Sequence, residues 1–168
     1  MSLRSDLEAL NNDYWQNNLI KIKSLDTLKE LIYVCNDCKL SIEQIDNVSP
    51  LWYSIGKAYL FKDDNYPCVI YNESEPIGFI CFYKWIGSEN TYSWSYFIDL
   101  KYQGKGYGKK AAQLAIEILR KANPNISIKL AAEKTNTKAH NLYYSLGFSK
   151  SDEMDGDDIV FLLNNNKE

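Results

Sequence analysis

The sequence predicts an α/β protein with a central mixed sheet of six to seven strands and helices on both faces. Short β-rich runs alternate with helical patterns along the chain, and this is the first observation that predicts the fold. The second is a predicted hairpin over residues 66–85, and the third is a strand–helix–strand unit over residues 92–132. With 168 residues and 45% hydrophobic content, the chain is expected to form a single globular domain over residues 1–168.

The first third of the chain predicts an N-terminal arm or helix, one strand and two helices. Apolar and polar residues alternate over the predicted strand. Ser24 or Asp26 can cap the first of the two helices, because both side chains accept hydrogen bonds from free helix amides. In chain order the predicted ranges are 1–18, 19–22, about 26–35 and 51–59, and residues 1–3 are compatible with a cloning remnant.

The middle of the chain predicts three successive strands and then a long helix. Residues 66–71 and 77–85 form the hairpin around a turn at 73–76, and residues 92–99 form the third strand. The helix over residues 109–123 has apolar residues at helical spacing, and Pro124 marks its end. The spaced residues are Ala111, Leu114, Ala115, Ile118 and Ala122.

The last third predicts a strand, a helix and a final strand. Residues 126–132 have an apolar interior, and the helix over residues 136–146 stops at Gly147. Residues 158–163 form the final strand after an acidic turn at 154–157, and a short strand at 148–151 is a further option.

The turn before the long helix contains three glycines at alternate positions, Gly104, Gly106 and Gly108. Glycines let the backbone turn sharply and leave its N–H groups uncovered. Because a helix begins directly afterwards, its free amides and the positive end of its dipole point into the turn. Lysines stand at positions 101, 105, 109 and 110 on a chain whose net charge is -3. The pattern predicts a phosphate-binding turn.

Two nucleotide-binding motifs fit this turn less well. The mononucleotide P-loop needs its second glycine where Lys109 stands. The dinucleotide fingerprint fits loosely as Gly106, Gly108 and Ala111, with Glu133 as the downstream acid, but residues 99–103 separate it from the strand end. A nicotinamide or flavin enzyme therefore stays an alternative.

A closer match is the pattern Q/R-x-x-G-x-G/A, which Gln103, Gly106 and Gly108 form. A second pattern downstream, N-x-x-A-x-x-x-Y-x-x-x-G-F, is present at every named position. Its residues are Asn136, Ala139, Tyr143, Gly147 and Phe148. Together the two patterns resemble the signatures of the GNAT N-acetyltransferases, and the resemblance covers about residues 67–163.

The resemblance implies a mostly antiparallel sheet with about four flanking helices, and acetyl-CoA as the co-substrate. It further implies that a bulge splays the strand before the glycine turn from its neighbour, so that the pantetheine arm pairs with the exposed backbone. The residues expected to bind acetyl-CoA are Phe97, Ile98, Gln103, Gly104, Lys105, Gly106, Tyr107, Gly108, Lys109, Asn136 and Tyr143.

Two residues are candidates for the chemistry of acetyl transfer in a ternary complex. By the resemblance, Tyr143 is the general acid that protonates the departing thiolate. Glu133, at the end of a strand, is the candidate base that takes a proton from the amine, directly or through water, with Tyr96 and acids of the N-terminal half as alternatives. His140 lies inside the helix of Tyr143, where the family pattern places no catalytic group, and is interpreted as structural.

The run Phe97-Ile98-Asp99, followed by Gln103-Gly104-Lys105-Gly106, resembles bacterial diamine, spermidine and spermine acetyltransferases. The expected acceptor is therefore a polyamine or diamine, with an aminoglycoside, a peptide amine or a non-catalytic acyl-CoA-binding role as alternatives. Acids and aromatics that a polycation would need are abundant in the chain.

Composition limits the other partners and the location. A net charge of -3 argues against nucleic acid, and no apolar run or signal peptide predicts a membrane segment, so a cytoplasmic protein is expected. No metal is expected, and the four cysteines, Cys35, Cys38, Cys68 and Cys81, are expected to be reduced thiols. Family members often form dimers, so a homodimer is a further expectation.

Overall fold

The computed structural model describes residues 2–165. Within that range seven strands form one sheet in the order β1-β2-β3-β4-β5-β7-β6, and β4–β5 is its parallel pair. The other neighbours are antiparallel. The strands are β1 (Lys21–Ser24), β2 (Asn65–Asn72), β3 (Glu75–Lys84), β4 (Thr91–Ile98), β5 (Ser127–Ala132), β6 (Ser149–Asp155) and β7 (Asp158–Leu163). This confirms the predicted mixed, mostly antiparallel α/β sheet.

Six α-helices, several of them short, flank the sheet in the described part of the chain. They are α1 (Leu3–Glu8), α2 (Leu28–Ile32), α3 (Ile42–Asn47), α4 (Leu51–Leu60), α5 (Tyr107–Ala122) and α6 (Thr137–Ser145). Ser2 caps α1 through a capping box, and Leu3 is fully buried. Two 3₁₀ turns, at Asn12–Trp15 and Leu100–Tyr102, and a π-helix at Tyr33–Asp37 complete the regular structure.

The core divides into two clusters on opposite faces of β1–β4. Apolar residues of α1 and α5 pack with Ile80, Phe82 and Ile98 in the larger cluster. Residues of the π-helix and α4 pack with Phe79 and Phe97, the alternate residues of the same strands, in the smaller one. Successive strand residues point to opposite faces, so both faces of the central strands are buried. The position of β4 and its end is therefore fixed from both sides.

Several boundaries differ from the predictions. The first strand lies at Lys21–Ser24 because the Asn17 side chain accepts hydrogen bonds from the amides of Leu19 and Ile20, which makes residues 17–20 a turn. Pro76, expected in the hairpin turn, lies within β3 opposite Tyr71, where a register shift leaves the ladder irregular. A bulge of this kind accommodates a residue that has no N–H.

The largest differences are in the helices and near the C-terminus. The helix expected through Cys35 changes to a π-helix at Tyr33. The helix α3 was not predicted. The strand expected at 148–151 extends to Asp155, through residues that were predicted as an acidic turn. Since β6 is an edge strand and almost wholly exposed, its sequence carries no alternating apolar pattern.

Glu30 joins α2 to the sheet. Its buried carboxylate accepts hydrogen bonds from Lys23 Nζ (2.8 Å) and from Tyr71 Oη (2.7 Å), as well as from Thr27 and the Asp26 amide. Burial alone would raise the pKa of Glu30, but these donors outweigh it and lower the pKa to about 2. The carboxylate therefore stays ionised at neutral pH and stabilises the contact between α2, β1 and β2.

All four cysteines are free thiols. Cys68 and Cys81 are buried in β2 and β3, as expected for small apolar residues, and burial raises the pKa of the Cys81 thiol to about 12. Across residues 2–165, no helix combines the length and the apolar character that crossing a bilayer would require.

Candidate active site

The site is built around a gap between β4 and β5. The two strands pair only at Thr91–Ser127 and Tyr92–Ile128, whereas β4 continues to Ile98 and β5 to Ala132. By contrast, β4 pairs with β3 without interruption from Tyr92 to Ile98. The sheet is therefore open on one side of β4 over six residues.

Backbone groups of β4 point into this gap at alternate positions. In an antiparallel pair, every second residue directs both its N–H and its C=O to the partner strand. The bonds Asp99 N–Ile77 O (2.8 Å) and Trp85 N–Thr91 O (2.9 Å) show that odd-numbered residues of β4 face β3. The even-numbered residues Trp94, Tyr96 and Ile98 therefore face the gap.

Ile98 and Phe97, both expected to bind the cofactor, differ in the direction in which their backbone N–H and C=O groups point. The backbone of Phe97 faces β3, and its ring packs against Phe79 with 5.7 Å between the ring centroids. The backbone of Ile98 faces the gap, and its carbonyl accepts a hydrogen bond from Gln103 Nε2 (2.8 Å). Ile98, and not Phe97, thus offers an amide N–H to a molecule in the gap.

The glycine turn lies at the end of β4 and is open. Gly104 and Gly106 have φ angles of +73° and +81°, a region that other residues rarely adopt, and a Cβ at either position would have no atom within 4 Å. Gly106 precedes the first turn of α5, and no side chain caps that helix. The amides of Tyr107, Gly108 and Lys109 therefore have no partner from a capping side chain.

Positive and aromatic side chains surround the turn. Lys105, Lys109 and Lys110 are exposed. The ammonium groups of Lys101 and Lys105 lie 4.9 Å and 5.5 Å from the centre of the Tyr102 ring. Together with the positive end of α5, these groups favour an anion with several oxygens, such as a diphosphate.

Tyr143 lies in α6, half-buried against the rings of Phe148 (5.9 Å) and Phe161 (5.2 Å). Burial raises the pKa of its phenol, and the neighbouring Tyr83 and Asp158 raise it further. Burial raises the pKa of the half-buried Tyr96 and Tyr143 raises it further, and the Tyr96 hydroxyl donates to the carbonyl of Gly108 (3.2 Å). Tyr143 is therefore protonated at neutral pH and lies near both the gap and the start of α5.

Three carboxylates form a row across one end of the sheet. Glu133 directly follows β5 and is exposed. Continuing the register Ala132–Ile159 by one residue places it opposite Asp158, which pairs in turn with Asp155. Burial raises the pKa of Asp158, and Glu133 and Asp155 raise it further. The sequence alone gives Asp158 no catalytic role, because its burial and its position opposite Glu133 depend on the strand register.

Asn136 and His140 hold the start of α6. Asn136 is the N-cap, and its Oδ1 accepts from the amide of Ala139 (3.0 Å). His140 Nε2 lies 2.9 Å from the carbonyl oxygen of Glu133, and its ring packs against Phe161. These contacts agree with the structural interpretation of His140.

Two further features of the site region could not be found from sequence patterns. Ser93 on β4 is fully buried, and its Oγ has no hydrogen-bond partner within the described residues. Asp99 is buried at the end of β4 and accepts hydrogen bonds from Tyr33 Oη (3.2 Å) and from the amides of Lys39 and Lys101 (3.4 Å each). Asp99 therefore fixes the point from which the glycine turn leaves the sheet.

A separate surface pocket of about 390 Å³ lies between α1 and β1, with Trp15 and Tyr66 in its wall. None of the motif residues lines it. The candidate site is placed at the gap and the glycine turn, because the open amides lie there and Glu133 follows the strand on the other side of the gap.

Comparison with known proteins identifies the family. The sequence model of the acetyltransferase (GNAT) family matches residues 28–148, which is more than half of the chain. The chain belongs to the acetyltransferase (GNAT) family.

A curated relative and several solved structures agree with this assignment. An uncharacterized N-acetyltransferase of Bacillus subtilis, YnaD, is 41% identical over 59 residues, which are 33% of this chain and 34% of the relative. The match thus spans about a third of that protein.

Solved structures of acetyltransferases share the fold over most of the chain. The aminoglycoside acetyltransferase AAC(6')-Ib in complex with coenzyme A has a TM-score of 0.67 at 16% identity, over 88% of this chain and 95% of its own. The ribosomal-protein-S5-alanine acetyltransferase of Vibrio fischeri has a TM-score of 0.63 at 17% identity, over 90% and 96%. At these identities the similarity shows the fold.

Proposed function

We propose that this protein transfers the acetyl group of acetyl-CoA to a primary amine of a small polycation, by direct attack in a ternary complex. The observation that carries the proposal is the gap beside β4, which opens after Tyr92 and ends at the glycine turn. Unpaired backbone groups along β4 suit an extended amide-containing arm such as pantetheine, because such groups need hydrogen-bond partners when they are covered.

The glycine turn holds the diphosphate of the coenzyme in this proposal. The amides at the start of α5 donate to the phosphate oxygens, and Lys105 and Lys109 supply positive charge. The positive φ angles of Gly104 and Gly106 support this role, since they keep the N–H groups on the open side of the turn.

The acetyl transfer itself uses groups at the end of the gap. The amine attacks the thioester carbonyl in its neutral form, after its ammonium proton has passed to solvent, and the Ile98 N–H donates to the oxyanion that forms. When the carbon–sulfur bond breaks, the electron pair stays on sulfur and Tyr143 donates its proton to the thiolate. Burial raises the pKa of Tyr143, so the phenol is protonated at neutral pH before the thiolate forms.

The proton released by the amine goes to a carboxylate of the acidic row. Glu133 is exposed to solvent and takes it directly or through water. Asp158 is a second acceptor, because its raised pKa makes it a stronger base than an ordinary aspartate. Solvent then returns a proton to Tyr143, so that the products are the N-acetylamine and the free thiol of CoA.

The acceptor that suits this row best is a polyamine or diamine. Like charges opposite one another on paired strands repel, and a bound polycation relieves the repulsion among Glu133, Asp155 and Asp158. An aminoglycoside would use the same charges, and one of the structural neighbours is an aminoglycoside acetyltransferase by name.

We also propose a cytoplasmic location. The four free thiols agree with the reducing conditions of that compartment.

The test is release of CoA thiol by the purified full chain, with acetyl-CoA and panels of polyamines, aminoglycosides and short peptides. We expect turnover to be fastest with a polyamine or diamine. A preference for aminoglycosides or peptide amines would contradict the polyamine assignment and leave acetyl transfer intact. Acetyl-CoA binding without thiol release from any amine would indicate a non-catalytic acyl-CoA-binding protein.

A thermal-shift comparison tests the cofactor. A ligand that binds only the native state raises the melting temperature, so acetyl-CoA should stabilise the protein. The nicotinamide dinucleotides should not. The opposite result would favour the dinucleotide interpretation of Gly106, Gly108 and Ala111.

A further inference from the structure

The segment 39–47, which we call the strap, crosses from the end of β4 to the start of α6. At its first residue, the Lys39 carbonyl accepts from the Leu100 amide (2.8 Å) and the Lys39 amide donates to Asp99 Oδ1 (3.4 Å). The last residues of the strap form α3. The strap thus begins at the end of β4.

The middle of the strap is bound to Gln103. Gln103 Nε2 donates to the side-chain oxygen of Gln44, and also to the carbonyl of Ile98 at 2.8 Å. A carboxamide nitrogen has two hydrogens, and both are used here. Gln103 is therefore held between α3 and the last residue of β4.

The end of the strap is bound to Asn136. Asn136 Nδ2 donates to Asn47 Oδ1 (3.3 Å), while its own Oδ1 caps α6 at Ala139. Gln44 and Asn47 are three residues apart, which places them on the same face of α3. One helical turn therefore holds a side chain from each edge of the gap.

We propose that Gln44 and Asn47 are positioning residues for acetyl-CoA binding, because they fix the orientation of Gln103 and Asn136. The inference rests on the proposed function and on the expectation from the two family patterns that Gln103 and Asn136 contact the coenzyme. Side chains that are already held lose less conformational freedom when the ligand binds, and this raises affinity without any contact between ligand and strap. Gln44 and Asn47 lie outside both sequence patterns of the family.

The experiment measures the dissociation constant of acetyl-CoA by titration calorimetry on the full chain. We expect Gln44→Met and Asn47→Ala each to weaken binding about 3- to 10-fold, the effect of one hydrogen bond. With acetyl-CoA saturating, kcat should stay within about twofold of wild type, because the strap residues do not touch the reacting atoms.

A double-mutant cycle shows whether Gln44 acts through Gln103. If it does, Gln44→Met should change affinity by less than about twofold in a Gln103→Met background. Ser41 and Gln44 form the capping box of α3, in which each side chain accepts a hydrogen bond from the other residue's amide. Ser41→Ala is the matched control, since it removes the Ser41 side chain from this box and leaves the bond between Gln44 and Gln103 in place. It should keep affinity within about twofold.

Additive losses in the cycle, or an equal loss in Ser41→Ala, would overturn the inference while the proposed function stands. Wild-type affinity in Gln44→Met would overturn it as well. A wild-type protein that binds no acetyl-CoA would overturn the proposed function and this inference together.

Discussion

Replacing Gly106 tests the phosphate-binding turn, and the structure sets the size of the effect. Gly106 has φ +81° and ψ -1°, and a Cβ added there would meet no atom within 4 Å. Steric overlap therefore contributes nothing, and the cost is the left-handed backbone alone, about 1–2 kcal/mol for an L-residue and more for a β-branched one. Gly106→Ala and Gly106→Val should form a graded series.

The backbone strain in a Gly106 variant must lower either the free energy of unfolding or the affinity for acetyl-CoA. If the turn keeps its shape, the free energy of unfolding falls by about 1–2 kcal/mol and acetyl-CoA affinity is unchanged. If the turn relaxes to negative φ, its amides move away from the phosphate. The same energy of about 1–2 kcal/mol is then lost from binding, and acetyl-CoA affinity falls by about 5- to 30-fold. We expect the second outcome in Gly106→Val, because a valine tolerates this backbone least.

Two measurements on each variant distinguish these cases: urea unfolding and calorimetric titration with acetyl-CoA. Gly56→Ala is the control, because Gly56 lies inside α4, with open space around it and no positive φ. That change should leave affinity unchanged and stabilise the protein by up to about 1 kcal/mol. If Gly106→Val alters neither unfolding nor affinity, the backbone argument for the turn is refuted.

Three further predictions concern catalysis, packing and pH. Tyr143→Phe should lower kcat at least about 100-fold and change acetyl-CoA affinity by less than about threefold, and wild-type turnover would mean that the acid is another residue. Gly78→Ala should destabilise the protein by about 1–3 kcal/mol in urea unfolding, because its Cβ would overlap the carbonyl oxygen of Phe97, and an unchanged midpoint would contradict this packing. The carboxylate of Glu30 has its pKa lowered from 4.5 to about 2, so its stabilisation is complete above pH 4.5 and is lost as pH falls towards 2. Between these limits wild type should lose about 3 kcal/mol relative to Glu30→Gln, and parallel pH profiles of the two proteins would refute the shift.

The sequence predicted well those elements whose pattern is periodic and whose ends are marked. Apolar residues at helical spacing over 111–122 predicted α5, which the structure places at Tyr107–Ala122. The hairpin of β2 and β3 and the final strand β7 were also predicted, because their apolar residues are buried by the sheet. The glycine turn was predicted in position, since its spacing requires both a turn and a helix start.

The sequence could not show the features that depend on contacts between distant residues. Phe97 and Ile98 are apolar whether or not β4 pairs with β5 along its length, so their pattern does not reveal the gap. The strap was missed because α3 is too short for a periodic pattern, and its position depends on Gln103 and Asn136. Burial raises the pKa of Asp158 and the carboxylates of Glu133, Asp155 and Asp157 raise it further, and neither the burial nor the approach of Glu133 can be read from the local sequence.

In the described chain, strands β1–β4 are joined to strands β5–β7 by only two paired residues on each of β4 and β5. An acyl donor lying along β4 would link strands β1–β4 to strands β5–β7. Its binding would raise resistance to unfolding by about 2.7 kcal/mol at a concentration one hundred times its dissociation constant. The free energy of unfolding would then rise with the concentration of acetyl-CoA.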